Sequence, residues 1–316
     1  MRALVTGCCG FIGSNLYNTL LCDDRFTEII GVDDLSNGNV EFLNVNKNRE
    51  KKKTKLIIND FASSSVLDVI LDGKIDVVFH LAANPRVEYS VQNPVETTEQ
   101  NVMKTVALIS ECIKPTSSVK RFIFSSSCAV YGDQTFSTDE SCTRQPNSPY
   151  GLQKAVIEDY LTLYDKLYGL KSMCLRYFNV YGPNQFGGSP YSTAVCAWCN
   201  KIKNGEPLRS DGDGTQSRDM VHVQDVVQAN ILMATIPNPP AGMQCFNVGT
   251  GQSHTNNEIL DFFKSRYPGV EVTNAPWRPG DVMHTKANIS KIKAWGYVPK
   301  YDLLSGLEDT IKWWEI

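Results

Sequence analysis

Tyr150 and Lys154 stand four residues apart in Tyr150-Gly151-Leu152-Gln153-Lys154, the separation that brings two side chains to one face of a helix. A cation held beside a phenol favours the phenolate and lowers its pKa from about 10 toward working pH. The pair therefore offers a general base. Upstream, an apolar run ends in Ser125-Ser126-Ser127. A hydroxyl at the carboxyl end of a parallel strand lies where open α/β sheets bind their ligands, so it can hold a substrate hydroxyl in line with that base.

A second group of residues points to a nucleotide. Gly7-Cys8-Cys9-Gly10-Phe11-Ile12-Gly13 follows the first strand pattern and opens the first helical one. Glycines there let the backbone turn tightly and approach a pyrophosphate, whose charge then meets the unpaired N–H groups of a helix N-terminus. Asp33 stands twenty residues beyond Gly13, at the end of the second strand. Its carboxylate can accept hydrogen bonds from an adenosine ribose and would repel a 2'-phosphate, which favours NAD over NADP. Asp60, after the third strand, is placed to meet the adenine. No metal is expected: Cys196 and Cys199 sit in a helical pattern beside Trp198 with no second pair or nearby His. The ten cysteines show no framework of spacings and read as reduced thiols.

These residues need a scaffold, and the chain supplies an α/β one. Arg2 to Thr6, Glu28 to Val32, Lys55 to Ile58, Val77 to Leu81, Arg121 to Phe124 and Met173 to Tyr177 read as strands, nearly all apolar on both faces. Strands of that kind belong to a parallel sheet covered on both sides. Helical patterns near Ser14 to Leu21, Pro94 to Cys112 and Pro149 to Tyr168 make it a doubly wound parallel sheet, a Rossmann domain expected over residues 1–180. From 181 to 316 Gly, Pro and Ser cluster, and helices near Ser192 to Lys203, Gln224 to Ala234, Asn257 to Phe263 and Asp302 to Trp314 are joined by loops. This smaller, irregular C-terminal region is expected to bind substrate, with part of 218–250 returning to the first domain. Hydrophobic residues make up 42% and the formal charge is −3, so the chain should fold alone and have no general attraction to nucleic acid or anionic membrane. The run Arg49 to Lys53 reads as a solvated loop. No apolar run reaches the length of a membrane span and the first residues are too short for a signal-peptide core. A soluble, cytoplasmic protein is expected.

Gly7 to Gly13, His80-Leu81-Ala82-Ala83, Ser125 to Gly132, Tyr150 to Lys154, Arg176 to Pro183 and Ser217-Arg218-Asp219 together resemble the extended short-chain dehydrogenases, specifically the nucleotide-sugar epimerases and dehydratases. The resemblance covers almost the whole chain. It implies a catalytic Ser127, Tyr150 and Lys154, and an NAD site formed by the glycine loop, Asp33, Asp60 and Ala82 together with Tyr150 and Lys154. It also implies a substrate contact at Asn179, phosphate contacts at Arg218 and Arg278, and a ribose contact at Asp281. Arg218 and Arg278 make sense alone, since a diphosphate needs bidentate cations in a protein without net positive charge. A homodimer through the helices at Pro94 to Cys112 and Pro149 to Tyr168 is implied as well. The shared first step of the family removes the C4-hydroxyl proton and the C4 hydride, leaving a 4-keto sugar.

The fate of that keto sugar depends on the turn after Ser127. Members that dehydrate carry an Asp-Glu pair there, and a related decarboxylase carries a Glu; this chain has Cys128-Ala129. Small neutral residues suit a 4-epimerase, which needs no further acid or base. The alternative is an atypical 4,6-dehydratase, with or without C5 inversion, in which the Cys128 thiol donates the C6 proton and Glu88, expected in a loop after the fourth strand, removes the C5 proton. In the family the position matching Thr285 helps decide whether a 2-N-acetyl group fits, and Thr is small. UDP-N-acetylglucosamine is therefore the expected substrate, with UDP-glucose second.

Overall fold

The structure, a computed structural model, describes residues 1–44, 53–134, 137–185, 193–276 and 282–316. Its strands are β1 (Arg2–Thr6), β2 (Glu28–Asp33), β3 (Lys53–Ile58), β4 (Val77–His80), β5 (Arg121–Ser127), β6 (Ser172–Tyr177), β7 (Asn179–Tyr181), β8 (Leu208–Asp211), β9 (Ser217–Arg218), β10 (Met220–His222), β11 (Gln244–Val248), β12 (His254–Thr255) and β13 (Val272–Ala275). The helices are α1 (Phe11–Cys22), α2 (Ser64–Leu71), α3 (Val87–Gln92), α4 (Pro94–Thr98), α5 (Lys104–Cys112), α6 (Pro149–Tyr168), α7 (Ala194–Lys203), α8 (Val223–Thr235), α9 (Asn256–Arg266), α10 (Ser290–Lys293) and α11 (Leu303–Trp314).

Seven strands form one parallel sheet in the order β3-β2-β1-β4-β5-β6-β11. The order reverses between β1 and β4, the point outside whose carboxyl ends an open α/β sheet binds ligands. Burial explains the strands: every residue of β4 and β6 is buried, and both faces of the sheet are covered. One core joins Ala3, Val5, Leu16, Phe79 and Ile123 to Val226 and Ala229 of α8; the other joins Leu4, Val78, Phe122 and Phe124 to Leu108 of α5 and Ile157 of α6. A third, smaller core gathers Trp198, Leu208, Leu260, Phe263, Leu307 and Ile311. Late in the chain, α8 packs into the first core and β11 pairs with β6.

The fold departs from expectation in several places. β3 is an edge strand whose Lys53 and Lys55 are exposed, so it is not apolar on both faces. Of the charged run before it only Lys53 is described, and it pairs with Glu28 at 3.7 Å. The C-terminal region is not strandless: β7 pairs with β10, β9 with β12 and β8 with β13. Strands of two to four residues are too short to show a period of two. The helical stretch over Pro94 to Cys112 holds a π-helical turn at Glu99–Met103.

Candidate active site

The glycine loop crosses the switch point of the sheet. Gly7 has φ +71°, and a Cβ there would stand 2.7 Å from the backbone nitrogen of Ala82, so the loops after β1 and β4 touch. His80 fixes the second loop: its Nδ1 lies 2.7 Å from Thr6 Oγ1 and its Nε2 lies 2.9 Å from Thr105 Oγ1. Burial, with Lys154 as a lesser cause, holds His80 down to about 3, so the ring is neutral. Gly10 begins α1 without a side-chain cap, and the first N–H groups of a helix have no intrahelical acceptor. The Asp33 carboxylate accepts from the backbone N–H groups of Cys9 (2.8 Å) and Leu35 (2.9 Å). An uncapped helix start, a glycine cradle and a carboxylate at the end of β2 fit an adenosine diphosphate moiety. Among the described residues Cys8, Cys9 and Asp33 bring potential metal ligands within 4.8 Å. One oxygen of that carboxylate already holds the glycine loop at Cys9 and the other holds its own turn at Leu35. Asp60 accepts from Lys104 at 2.5 Å and from Ala62 N–H at 2.8 Å.

Helix α6 meets the end of β5 along one row of side chains. Pro149 occupies its first turn and the Ser148 hydroxyl accepts from Gly151 N–H, which fixes where the helix begins. Tyr150, Lys154 and Glu158 then fall one turn apart on the face toward the sheet. The Ser127 side chain is near enough to the Tyr150 phenol to favour its ionised form, Lys154 donates to the Ser125 carbonyl at 2.7 Å, and Glu158 accepts from Ser126 at 2.6 Å. Glu158 is in turn gripped by Arg176 of β6 at 2.9 and 2.7 Å. The expected lowering of the Tyr150 pKa is not found in the chain alone. Burial pushes the phenol up, with only the Ser127 side chain drawing it back. The same burial depresses Lys154 to about 8, and its ammonium lies 5.7 Å from the centre of the Tyr150 ring.

The turn after Ser127 is short and closed. The Ser127 hydroxyl accepts from Ala129 N–H at 3.2 Å, and burial pushes the half-exposed Cys128's thiol up to about 11. Glu88 is corrected from a loop to the first turn of α3, where it is exposed and accepts from Gln92 at 3.4 Å. A helix of six residues placed after Pro85 and Arg86 gives little periodicity from which to read it. Asn179, Arg218 and Thr285 come together beyond the sheet: Thr285 Oγ1 donates to Asn179 Oδ1 at 3.1 Å, and Arg218 donates to the carbonyls of Ser217 and Met283, both at 3.0 Å. Asp219, fully buried, accepts from the backbone N–H groups of Thr250, Gly251 and Ala287 and so ties this corner to the loop after β11. Arg278 and Asp281 lie outside the described residues.

Two positions escaped the sequence reading. A Cβ on Gly151 would stand 2.5 Å from the Ala129 carbonyl, so glycine is what allows the Cys128-Ala129 turn to pack on α6 beside Tyr150. Its place inside the Tyr-x-x-x-Lys spacing was the available signal. Asn101, in the π-helical turn, accepts from Asn84 N–H at 2.7 Å and donates to Gln153 at 2.8 Å, joining the loop after β4 to α6. No pattern in the sequence marks a π turn.

Known proteins are similar to this chain over nearly its full length. Over 317 residues the chain is 32% identical to the UDP-glucose 4-epimerase of Mycolicibacterium smegmatis, covering 99% of this chain and 98% of that one. A UDP-N-acetylglucosamine 4-epimerase from Methanobrevibacter ruminantium, solved with UDP-N-acetylmuramic acid, superposes with a TM-score of 0.91 at 34% identity, covering 99% and 98% of the two chains. The UDP-glucose 4-epimerase of Thermotoga maritima, solved with UDP-glucose, gives 0.90 at 34% identity over 100% and 99%. A family profile matches residues 3–249, the sheet and the whole α6–β5 contact. The chain belongs to the NAD dependent epimerase/dehydratase family.

Proposed function

We propose that this chain is an NAD-dependent UDP-sugar 4-epimerase with UDP-N-acetylglucosamine as its preferred substrate and UDP-glucose as a second. The observation that carries the epimerase reading is the turn at Cys128-Ala129, which presents no carboxyl group beside Ser127 and Tyr150. A dehydratase would have to protonate a departing hydroxyl from a thiol held up to about 11 and take a proton with the exposed Glu88 of α3. Both are poor fits.

Gly7, Gly10, Phe11, Ile12, Gly13, Asp33, Asp60 and Ala82 would hold the dinucleotide, with Tyr150 and Lys154 at its far end. NAD, when bound, supplies an acceptor for the C4 hydride and gives the same hydride back. Ser127 hydrogen-bonds the C4 hydroxyl and directs its proton toward Tyr150. Tyr150 takes that proton and later returns it, and Lys154, anchored on the Ser125 carbonyl, supplies the positive charge that favours the phenolate. Arg218 and Arg278 hold the diphosphate, Asp281 the uridine ribose, and Asn179 the diphosphate or sugar. Thr285, small and hydrogen-bonded to Asn179, leaves room for a 2-N-acetyl group.

The test is proton NMR of UDP-N-acetylglucosamine and of UDP-glucose incubated with the protein and NAD. The expected product shows an inverted C4 configuration with the C6 methylene intact, formed faster from the N-acetylated sugar. A C6 methyl doublet would replace this reading with dehydration, and would make Cys128 and Glu88 its acid and base.

The active molecule is proposed to be a homodimer. Leu152, Tyr160, Leu163 and Leu167 form an exposed stripe on α6, and Val95 (82% exposed) and Met103 (62%) extend it on the neighbouring α4 to α5 stretch. Two packed helices that both leave such a stripe in water are what a second copy of the same pair would cover.

A further inference from the structure

We propose that Cys174, Met243 and Cys245 form a binding site for a soft monovalent metal ion, copper(I), at the edge of the sheet. β6 and β11 run parallel with Cys174 directly opposite Cys245. Met243, one residue before β11, places its thioether sulfur 3.7 Å from Cys174 Sγ and 4.0 Å from Cys245 Sγ. Neither thiol is in a disulfide, and the register of the two strands puts both on one face of the sheet.

The two distances from the Met243 sulfur match those around a trigonal ion. Three sulfurs bound in one plane to a central ion at about 2.3 Å stand about 4 Å apart. Two thiols and a thioether are a soft donor set, which selects copper(I). Zinc asks for a fourth ligand, and among the described residues no carboxylate or imidazole joins this group. Entry is open: Cys174 is fully buried, but Met243 and Cys245 are half-exposed on the last strand of the sheet. Binding through both thiols releases two protons and leaves one net negative charge, and the Lys291 ammonium stands close by, donating to the Cys245 carbonyl at 2.8 Å. Cys8 and Cys9 also place their sulfurs 3.8 Å apart, but both are fully buried and no thioether completes the set.

The experiment titrates the reduced, full-length protein anaerobically with copper(I) buffered by bicinchoninate. One equivalent that resists the chelator is expected, with an X-ray absorption spectrum fitted by three sulfurs at about 2.3 Å. Cys245→Ser, at a half-exposed position, should lose that equivalent, and Cys8→Ser should keep it, with thermal unfolding used to match the folded state of the variants. No chelator-resistant copper, its survival in Cys245→Ser, or its loss in Cys8→Ser would overturn the proposal. None of the three sulfurs lies in the proposed catalytic row, so this outcome is independent of the sugar chemistry.

Discussion

Tyr150 sits where two opposing influences meet. Burial favours the neutral phenol, and the Ser127 side chain together with a cation favours the phenolate. Removing the hydroxyl leaves the ring and its packing in place, so Tyr150→Phe is expected to cost about 10²- to 10⁴-fold in kcat with NAD affinity preserved. Turnover at the wild-type rate would remove Tyr150 as the base. Lys154, depressed to about 8, is expected to set the alkaline limit of activity, because its charge is lost as pH rises through that value. Thr285 tests substrate choice at the same scale. Its hydroxyl donates to Asn179 and accepts from Asp219 N–H at 3.2 Å, so the residue is fixed in place beside the proposed substrate contact. Thr285→Tyr should lower kcat/KM for UDP-N-acetylglucosamine more than for UDP-glucose, read from competition of the two sugars; an unchanged ratio would detach Thr285 from selectivity.

Elements determine whether those residues meet at all. In most helices replacing glycine by alanine stabilises by roughly 0.5 to 1 kcal/mol. Gly151 should behave otherwise, because a Cβ would press on the Ala129 carbonyl at 2.5 Å and move the turn that carries Ser127 away from Tyr150. Gly151→Ala is expected to lower both the unfolding midpoint and kcat while leaving NAD binding intact. A gain in stability with unchanged kcat would mean that the turn yields freely. This position also shows what the sequence exposes and what it conceals. The glycine loop, Asp33 and the Tyr-Lys pair are local in sequence, and residue type with spacing was enough to find them, as it was for the limits of α6. Glu88 on a short helix, the strand pairs after Tyr181 and the π turn at Asn101 depend on contacts between segments far apart in sequence. Periodicity over two to six residues does not encode them. The raised phenol is another such property, since burial is set by the closure of α6 on β5.

The whole molecule adds two responses that no single element has. Its centre keeps His80 neutral: the folded value of about 3 lies below the ordinary one of 6.5. Unfolding therefore takes up a proton as pH falls. The stability this group contributes is complete above about 6.5 and is lost toward about 3, at up to about 1.4 kcal/mol per pH unit. Urea unfolding at pH 7 and at pH 4.5 should show a steeper acid loss in the wild type than in His80→Asn, and equal losses would show that His80 is not held neutral. Its surface, by contrast, carries the apolar stripe of α6 and α4 to α5. If a second copy covers it, the folded chain and the dimer are linked by mass action, and the unfolding temperature must rise with protein concentration. Leu163 and Leu167 are half-exposed or more and belong to that stripe. Leu163→Glu with Leu167→Glu would then bury charge at the interface, giving a monomer by sedimentation and an unfolding temperature independent of concentration. A wild-type chain that sediments as a monomer would leave the stripe as an ordinary surface, and the double variant would then be indistinguishable from it.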